Sequence, residues 1–252
     1  LPFEIKLVLV FLSGILAGFI NIVAGGGSLF TLPALLFLGL PSAVANGTNR
    51  LAILIQTMVG IARFKKKGYF DYKAGLKAGI PAVIGSIIGS QLAIHIPDRL
   101  FYILLACVIF VVLVLLLLNP VKSRNEENPH YFHSRHPLLL FLVFLAIGFY
   151  GGVIQVGVGI ILMAAFSLLA RSSLIWINSV KTIVVGLYLS VSLGIFIYHG
   201  KVDWLYGFLL AGGNAIGAWA GTHFSVTRGD KWIKAVVFFS VCAILFSLLS
   251  RI

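Results

Sequence analysis

Two cations stand where a charge is expensive. Arg50 lies at the head of an apolar stretch that opens Asn46-Gly47-Thr48-Asn49-Arg50, and Lys181 at the head of another that opens Asn178-Ser179-Val180-Lys181-Thr182. On a helix, side chains three and four apart share a face, so Asn46, Asn49 and Arg50 line up, and so do Asn178 and Lys181. A cation on a lipid-crossing helix costs ~3 kcal/mol even on the gentlest insertion scales, so both should face protein or a watery cavity. No Asp or Glu lies deep in any apolar run to neutralise them. The chemistry this suits is capture of an anion, with the asparagines as oriented amide donors. Two plainer readings stay open: the cations can snorkel to an interface from near the segment ends, and the asparagines can cap or cross-link helices.

Each polar start follows a break. Residues 21–50 read NIVAGGGSLFTLPALLFLGLPSAVANGTNR, and Gly25, Gly26 and Gly27 interrupt the apolar pattern with backbone that no side chain shields. The piece that follows, 28–40, has 13 residues. At ~20 Å as a helix it cannot cross a ~30 Å hydrocarbon core unaided. In the second half, Gln155-Val156-Gly157-Val158-Gly159 precedes a similar short piece, 160–170. Helix starts at such breaks offer free N–H groups and the positive end of the helix dipole to an oxyanion. The candidate binding residues are therefore Asn46, Asn49, Arg50, Asn178 and Lys181, with Gly25, Gly26, Gly27, Gln155 and Gly157 at the breaks; Gln56 is a further polar candidate. The glycines are not a phosphate loop, because GxxxxGK[ST] is absent.

The elements that must position these groups are membrane helices. The chain has 252 residues, 60% of them hydrophobic, with 19 Lys and Arg against seven Asp and Glu for a formal charge of +12. Runs long enough to need a bilayer exclude an ordinary soluble domain. The positive charge collects between apolar runs, where it holds loops on the cytoplasmic side beside anionic lipid, and needs no nucleic acid to explain it. An all-α polytopic membrane protein is expected, with about eight long transmembrane helices at 7–23, 43–62, 74–94, 100–118, 138–156, 174–198, 202–224 and 232–249. The pieces 28–40 and 160–170 are short broken or re-entrant elements. Segment 7–22 is read as a span and not as a removable leader, since further membrane segments follow it closely. Cys107 and Cys242 fall in apolar runs and are expected as buried small hydrophobes without a disulfide. Trp176, Tyr198, Trp204 and Trp232 lie near span ends, where the interface favours them. The polar stretch 119–137 is a linker between a first transmembrane half, 1–118, and a second, 138–252. Its His130, His133 and His136 lack the companions of a metal site, and no metal is expected.

The halves repeat. At an offset of 130, Gly18-Phe19, Val23, Gly27 and Ser42 meet Gly148-Phe149, Val153, Gly157 and Ser172. At an offset of 132, Asn46, Gly68, Asp71, Gly75, Gly85 and Gly89 meet Asn178, Gly200, Asp203, Gly207, Gly217 and Gly221. Coincidence in Gly, Asn and Asp is harder to dismiss than coincidence in Leu. Paired repeats with equivalent broken helices are the build of secondary transporters, with the substrate between the halves. Parallel and inverted arrangements are both open; the cation-rich 63–77, set against 198–203 with Lys201 alone, leans towards inversion.

The runs GFINIVAGGGSLFTLPALLFLGLPSAVANGTNR, GFYGGVIQVGVGIILMAAF and INSVKT resemble the sulfite exporter TauE/SafE family over nearly the whole chain. The resemblance implies a multi-pass inner-membrane secondary carrier, commonly an exporter, of small sulfur-containing or organic anions such as sulfite or sulfoacetate. It implies no prosthetic group. It places the family's glycine motif at 24–28 and its polar helix starts at 46–50 and 178–181. A proton or a sodium ion is the expected coupling partner. The alternatives from other classes are an anion channel, and a membrane-embedded enzyme, for which the spans lack paired carboxylates and HExxH.

Overall fold

Glycine, proline and charge interrupt the apolar runs, and helix boundaries follow those interruptions. A computed structural model describes residues 2–24, 26–118, 137–169 and 172–224. Among them are nine helices and no strand: α1 Phe3–Ala24, α2 Ser28–Phe37, α3 Ser42–Lys66, α4 Tyr72–Ala93, α5 Asp98–Leu118, α6 Pro137–Val153, α7 Val158–Leu169, α8 Leu174–Tyr198 and α9 Trp204–Phe224. Gly25, the linker histidines and the expected span 232–249 with Trp232 and Cys242 lie outside the described residues. Of the long spans expected, those in α1, α4 and α8 are both long and apolar enough to cross a membrane. α3 is equally long at 25 residues but carries Arg50, Arg63, Lys65 and Lys66, and α6 has only 17. The short pieces are helical: α2 has 10 residues and α7 has 12.

The ends are set locally. Asp71 accepts from the Ala74 amide at 3.0 Å and so caps α4, and Asp203 accepts from Tyr206 N at 3.0 Å at the start of α9. Ser173 does the same for α8 through Trp176 N at 3.3 Å. Asp98, in the first turn of α5, turns its carboxylate to the Ser42 amide of α3 at 3.0 Å. α4 runs through Pro81 without interruption.

Packing fixes helix direction. Gly14 lies against Gly213 and Asn214, and Gly221 against Phe19 and Ile22, so α1 and α9 run parallel. Gly85 meets Leu145 and Phe149, and Gly89 meets Phe149 and Gly152, so α4 and α6 also run parallel. A Cβ on Gly85 or Gly148 would collide with the facing backbone, which is why small residues recur along these contacts. Ser86 reaches the Tyr188 carbonyl and Ser90 the Ser192 hydroxyl, setting α4 parallel to α8. Thr48 meets Asp203 and Arg63 meets the Trp219 carbonyl, setting α3 parallel to α9. Between α3 and α8 the order reverses: Arg50 bonds Ser192, Thr57 faces Gly186, and Gly60 faces Thr182. α1, α3 and α9 therefore point one way, and α4, α6 and α8 the other. Since α1 and α3 are parallel, the short α2 returns the chain from the end of one to the start of the other.

Two large apolar cores result, one gathering α1, α2, α3, α5 and α9 with Ile160 of α7, the other mainly α4, α6, α7 and α8, and a small third cluster joins Ala93 and Ile94 at the end of α4 to Phe196 of α8. The outer face stays apolar, with Leu12, Ile80, Ile88, Phe208 and Trp219 exposed, as lipid contact requires. Two expectations are corrected. Trp176, in the first turn of α8, is turned into the protein and not towards lipid: it is buried, donates to Asp71 Oδ2 at 3.3 Å, and meets Phe166 edge-on. Cys107 is exposed on the outer face of α5, because its neighbours Leu105 and Ile109 take the inward positions.

Candidate functional site

The two breaks meet. Ser28, at the start of α2, donates from Oγ to the Gln155 carbonyl at 3.2 Å and accepts from the Gly157 amide at 3.4 Å. The breaks are made differently. Gly157 turns at φ +73, a left-handed conformation that favours glycine. Gly27 keeps a right-handed helical conformation, φ −57, and is glycine for room, since a Cβ there would run into the Ala17 carbonyl of α1. α2 has no side-chain cap, and its first turn closes on itself, the Leu29 and Phe30 amides donating to the Gly26 and Gly27 carbonyls at 3.0 and 3.1 Å. Gly26, Gly27 and Gly157 are all buried.

Arg50 is fully buried; its Nη1 and Nη2 donors go to protein, and Nε has no partner. Nη1 donates to the Gly151 carbonyl at 2.9 Å and the Ser192 hydroxyl at 2.7 Å; Nη2 donates to the Gly152 carbonyl at 2.6 Å and Asn46 Oδ1 at 3.3 Å. Its guanidinium lies 4.5 Å from the Phe196 ring centroid. Asn46 donates to the Val153 carbonyl at 2.9 Å. The last carbonyls of α6, which have no partner within the helix, are thus satisfied by two α3 side chains one turn apart, the cation meeting the negative end of the dipole. Asn178 acts similarly at the other break, donating to the Ile22 carbonyl near the end of α1 at 3.0 Å. Asn49 accepts from Thr31 at 2.6 Å and leaves its amide nitrogen without a partner. The capping alternative open in the sequence is therefore the geometry of Asn46 and Asn178, and neither cation snorkels.

Lys181 differs from Arg50. It is 5% exposed, and the neighbour of its ammonium within hydrogen-bond range is the Met163 thioether at 3.9 Å, a weak acceptor. It lines a cavity with Asn21, Ile22, Ser28, Ile53, Gln56, Thr57, Gln155, Gly159, Thr182 and Val185. The space open to the centres of water-sized spheres is about 30 Å³. That is room for about two waters. Gln155 is held by Tyr188, whose hydroxyl donates to Oε1 at 3.0 Å. Of the candidates read from the sequence, the structure brings Lys181 and Gln155 into the cavity, beside the α2 start that follows Gly26 and Gly27. It places Arg50, Asn46, Asn49 and Asn178 outside the cavity lining. Sequence reasoning passed over Ser28, Thr57, Thr182 and Asn21. Thr57 sits beside Gln56, and Thr182 beside Lys181 and one turn beyond Asn178, all named candidates, so helical spacing held a usable signal.

The described acids are spent or remote: the Asp71, Asp98 and Asp203 carboxylates serve helix starts. Among the described residues no group of three or more His, Cys, Asp or Glu could hold a metal. The arrangement suits a small anion, with the Lys181 ammonium, the Asn21, Gln56 and Gln155 amides and the positive end of α2 around one polar cavity, while the Ser28, Thr57 and Thr182 hydroxyls donate to the Gln155, Ile53 and Asn178 carbonyls.

A family model described as sulfite exporter TauE/SafE matches residues 10–248. The chain is 28% identical over 234 residues to a probable membrane transporter protein, ORF9, of Sinorhizobium sp., covering 92% of this chain and 87% of that one. It is 30% identical over 238 residues to a probable membrane transporter protein of Haemophilus influenzae, covering 92% and 89%. To the probable membrane transporter protein YfcA of Escherichia coli K12 it is 29% identical over 235 residues, covering 90% and 83%. No solved structure matches it.

Proposed function

The chain belongs to the sulfite exporter TauE/SafE family of membrane transport proteins, and from that premise we propose that it is a secondary carrier of a small sulfur-containing or organic anion, such as sulfite or sulfoacetate. The carrying observation is Lys181, a buried cation without an oxygen partner, in a polar cavity where two helix breaks meet. A buried ammonium left without an oxygen partner from the protein is costly, and a bound anion removes that cost. The anion sits against Lys181 and the Gln56 and Gln155 amides, at the positive end of α2. Arg50, Asn46 and Asn178 shape the site by holding the ends of α6 and α1.

Alternating access follows from a duplicated architecture. Reading 1–118 and 138–252 as repeats makes α1 equivalent to α6, α3 to α8 and α4 to α9. The pairing is then exchanged: α1 of one half packs on α9 of the other, and α4 on α6. The antiparallel run of α3 against α8 supports inverted repeats, in which one half rocks against the other about a site at mid-membrane. The cation-rich α3–α4 connection then lies on the cytoplasmic side of the inner membrane, and the start of α1 and the α8–α9 connection on the opposite side. Space for about two waters favours a carrier over an open anion channel. A membrane-embedded enzyme would need a base or nucleophile at the cavity besides Lys181. A proton or sodium gradient drives the movement; a sodium ion in the cavity itself is opposed by the Lys181 charge.

The test is flux of labelled sulfite, sulfoacetate and a matched carboxylate in liposomes holding the purified protein, under imposed proton and sodium gradients in turn. Saturable, gradient-driven movement of one anion, abolished in Lys181→Gln, is expected. Unchanged flux in that variant removes Lys181 from the site, and linear flux with voltage turns the reading to a channel.

A further inference from the structure

The cavity lies on one side of the central junction, and the duplication read above says what stands in the equivalent place on the other. Adding 132 to Gln56 and Thr57 gives Tyr188 and Leu189, and adding it to Arg50 gives Thr182. Gly151 and Gly152, whose carbonyls Arg50 binds, answer at an offset of 130 to Asn21 and Ile22, which line the cavity. The sites are mirror versions of one another. In one, the Arg50 guanidinium, Tyr188 and Leu189 fill the space at the end of α6 and are fully buried. In the other, Thr182, Gln56 and Thr57 surround a cavity at the end of α1.

The hydroxyl that Arg50 binds is that of Ser192, whose counterpart is Gly60. A Cβ on Gly60 would stand 3.1 Å from the Thr182 methyl, so the two positions remain neighbours in the open site as in the filled one. The Thr182 hydroxyl turns back to the Asn178 carbonyl at 2.6 Å and does not reach α1. Arg50, Tyr188, Leu189 and Ser192 thus each have a smaller counterpart at the cavity, while the cavity gains Lys181 where the filled site has Asn49, and Asn21 and Ile22 where it has Gly151 and Gly152.

We infer that Thr182 is the residue that keeps the site open and limits what enters it, and that Arg50 is a built-in plug closing the mirror site. One half presents a cavity with a cation beside it; the other presents the same cradle already occupied by a tethered cation. This rests on the transport reading for what the cavity carries, but the occlusion itself is a matter of side-chain volume. An arginine at position 182 has the end of α1 within reach as Arg50 has the end of α6. Its guanidinium takes the place of the ligand.

The experiment uses the full chain with Cys107→Ser and Cys242→Ser, and Thr57→Cys as a reporter in the cavity wall. Methyl methanethiosulfonate, small and neutral, labels the reporter in detergent-solubilised protein. Adding Thr182→Arg is expected to slow labelling about tenfold, the equivalent of ~1.4 kcal/mol of occlusion. Thr182→Leu, which adds volume without charge, is expected to slow it less and keeps the question answerable if the arginine variant does not fold. Labelling rates that match within about twofold across the backgrounds, including no labelling in any, overturn the inference. In liposomes, Thr182→Arg should lose saturable anion flux that the Thr182 protein has. If the Thr182 protein itself moves none of the anions, the transport reading fails, while the labelling ratio still decides the role of Thr182.

Discussion

Arg50 and Lys181 look alike in sequence and should part company in a stability assay. Arg50→Met removes the donors that hold the Gly151 and Gly152 carbonyls at 2.9 and 2.6 Å, along with the bond to Ser192 at 2.7 Å. A buried acceptor left without a partner, as the Gly151 carbonyl is, costs ~1–3 kcal/mol, and the Gly152 carbonyl keeps only the Ser90 hydroxyl at 3.5 Å; some of that is offset because the guanidinium no longer has to be kept out of water. A net loss of about 3 kcal/mol follows, which for a chain of this size lowers Tm by roughly 6–12 °C. Lys181→Met removes a cation whose hydrogen-bond-range neighbour is a thioether sulfur at 3.9 Å. No acceptor of consequence is orphaned, so Tm should hold within about 2 °C or rise. The assay is thermal unfolding of purified protein in detergent, followed by tryptophan fluorescence, with flux measured on the same preparations. Lys181→Met is expected to be folded and inactive, Arg50→Met to be unstable. A stable, inactive Arg50→Met would refute the capping account and return Arg50 to the substrate. An equally destabilised Lys181→Met would show that its ammonium has a structural partner.

Ser28→Ala cuts the tie between the two breaks, so it should cost about 1 kcal/mol in the same melt and lower flux by more than that loss of folded protein explains. Single cysteines at Lys67 and Lys201 should be labelled by an impermeant maleimide from opposite faces of the membrane, because the connections they occupy lie at opposite ends of the antiparallel α3 and α8; labelling from one face would exclude inverted repeats. Gly85→Leu should prevent α4 from seating on α6, whose Leu145 carbonyl meets the added Cβ, and give aggregated protein on size-exclusion chromatography. A monodisperse, active Gly85→Leu protein would disprove that close contact.

Helices, their breaks and their polar starts were legible in the chain, because a membrane leaves the backbone little choice: apolar runs must be helical, and Gly, Pro and charge must end them. Residues 28–40 showed themselves too short to cross, and α2 is indeed short. The pairing of Asn46 with Arg50 was legible too, since four residues make one turn. The family was readable from the glycine motif and the polar starts, and the family model matches nearly the whole chain. What lay beyond reach were contacts between residues far apart in the chain. Arg50 and the carbonyl of Gly151 are 101 positions apart, and nothing local says that the cation meets a helix end and not a cavity. The burial of Trp176 hangs on Asp71, 105 positions away. Helix direction likewise emerged from glycines and hydroxyls that touch across the interior. The sequence by itself thus determined which segments enter the membrane and which polar groups they carry in with them, since those follow from local pattern. Tertiary packing alone decided that Arg50 closes one end of the molecule's central junction while Lys181 is left facing a space, since a buried cation's role depends on which acceptors the fold brings to it.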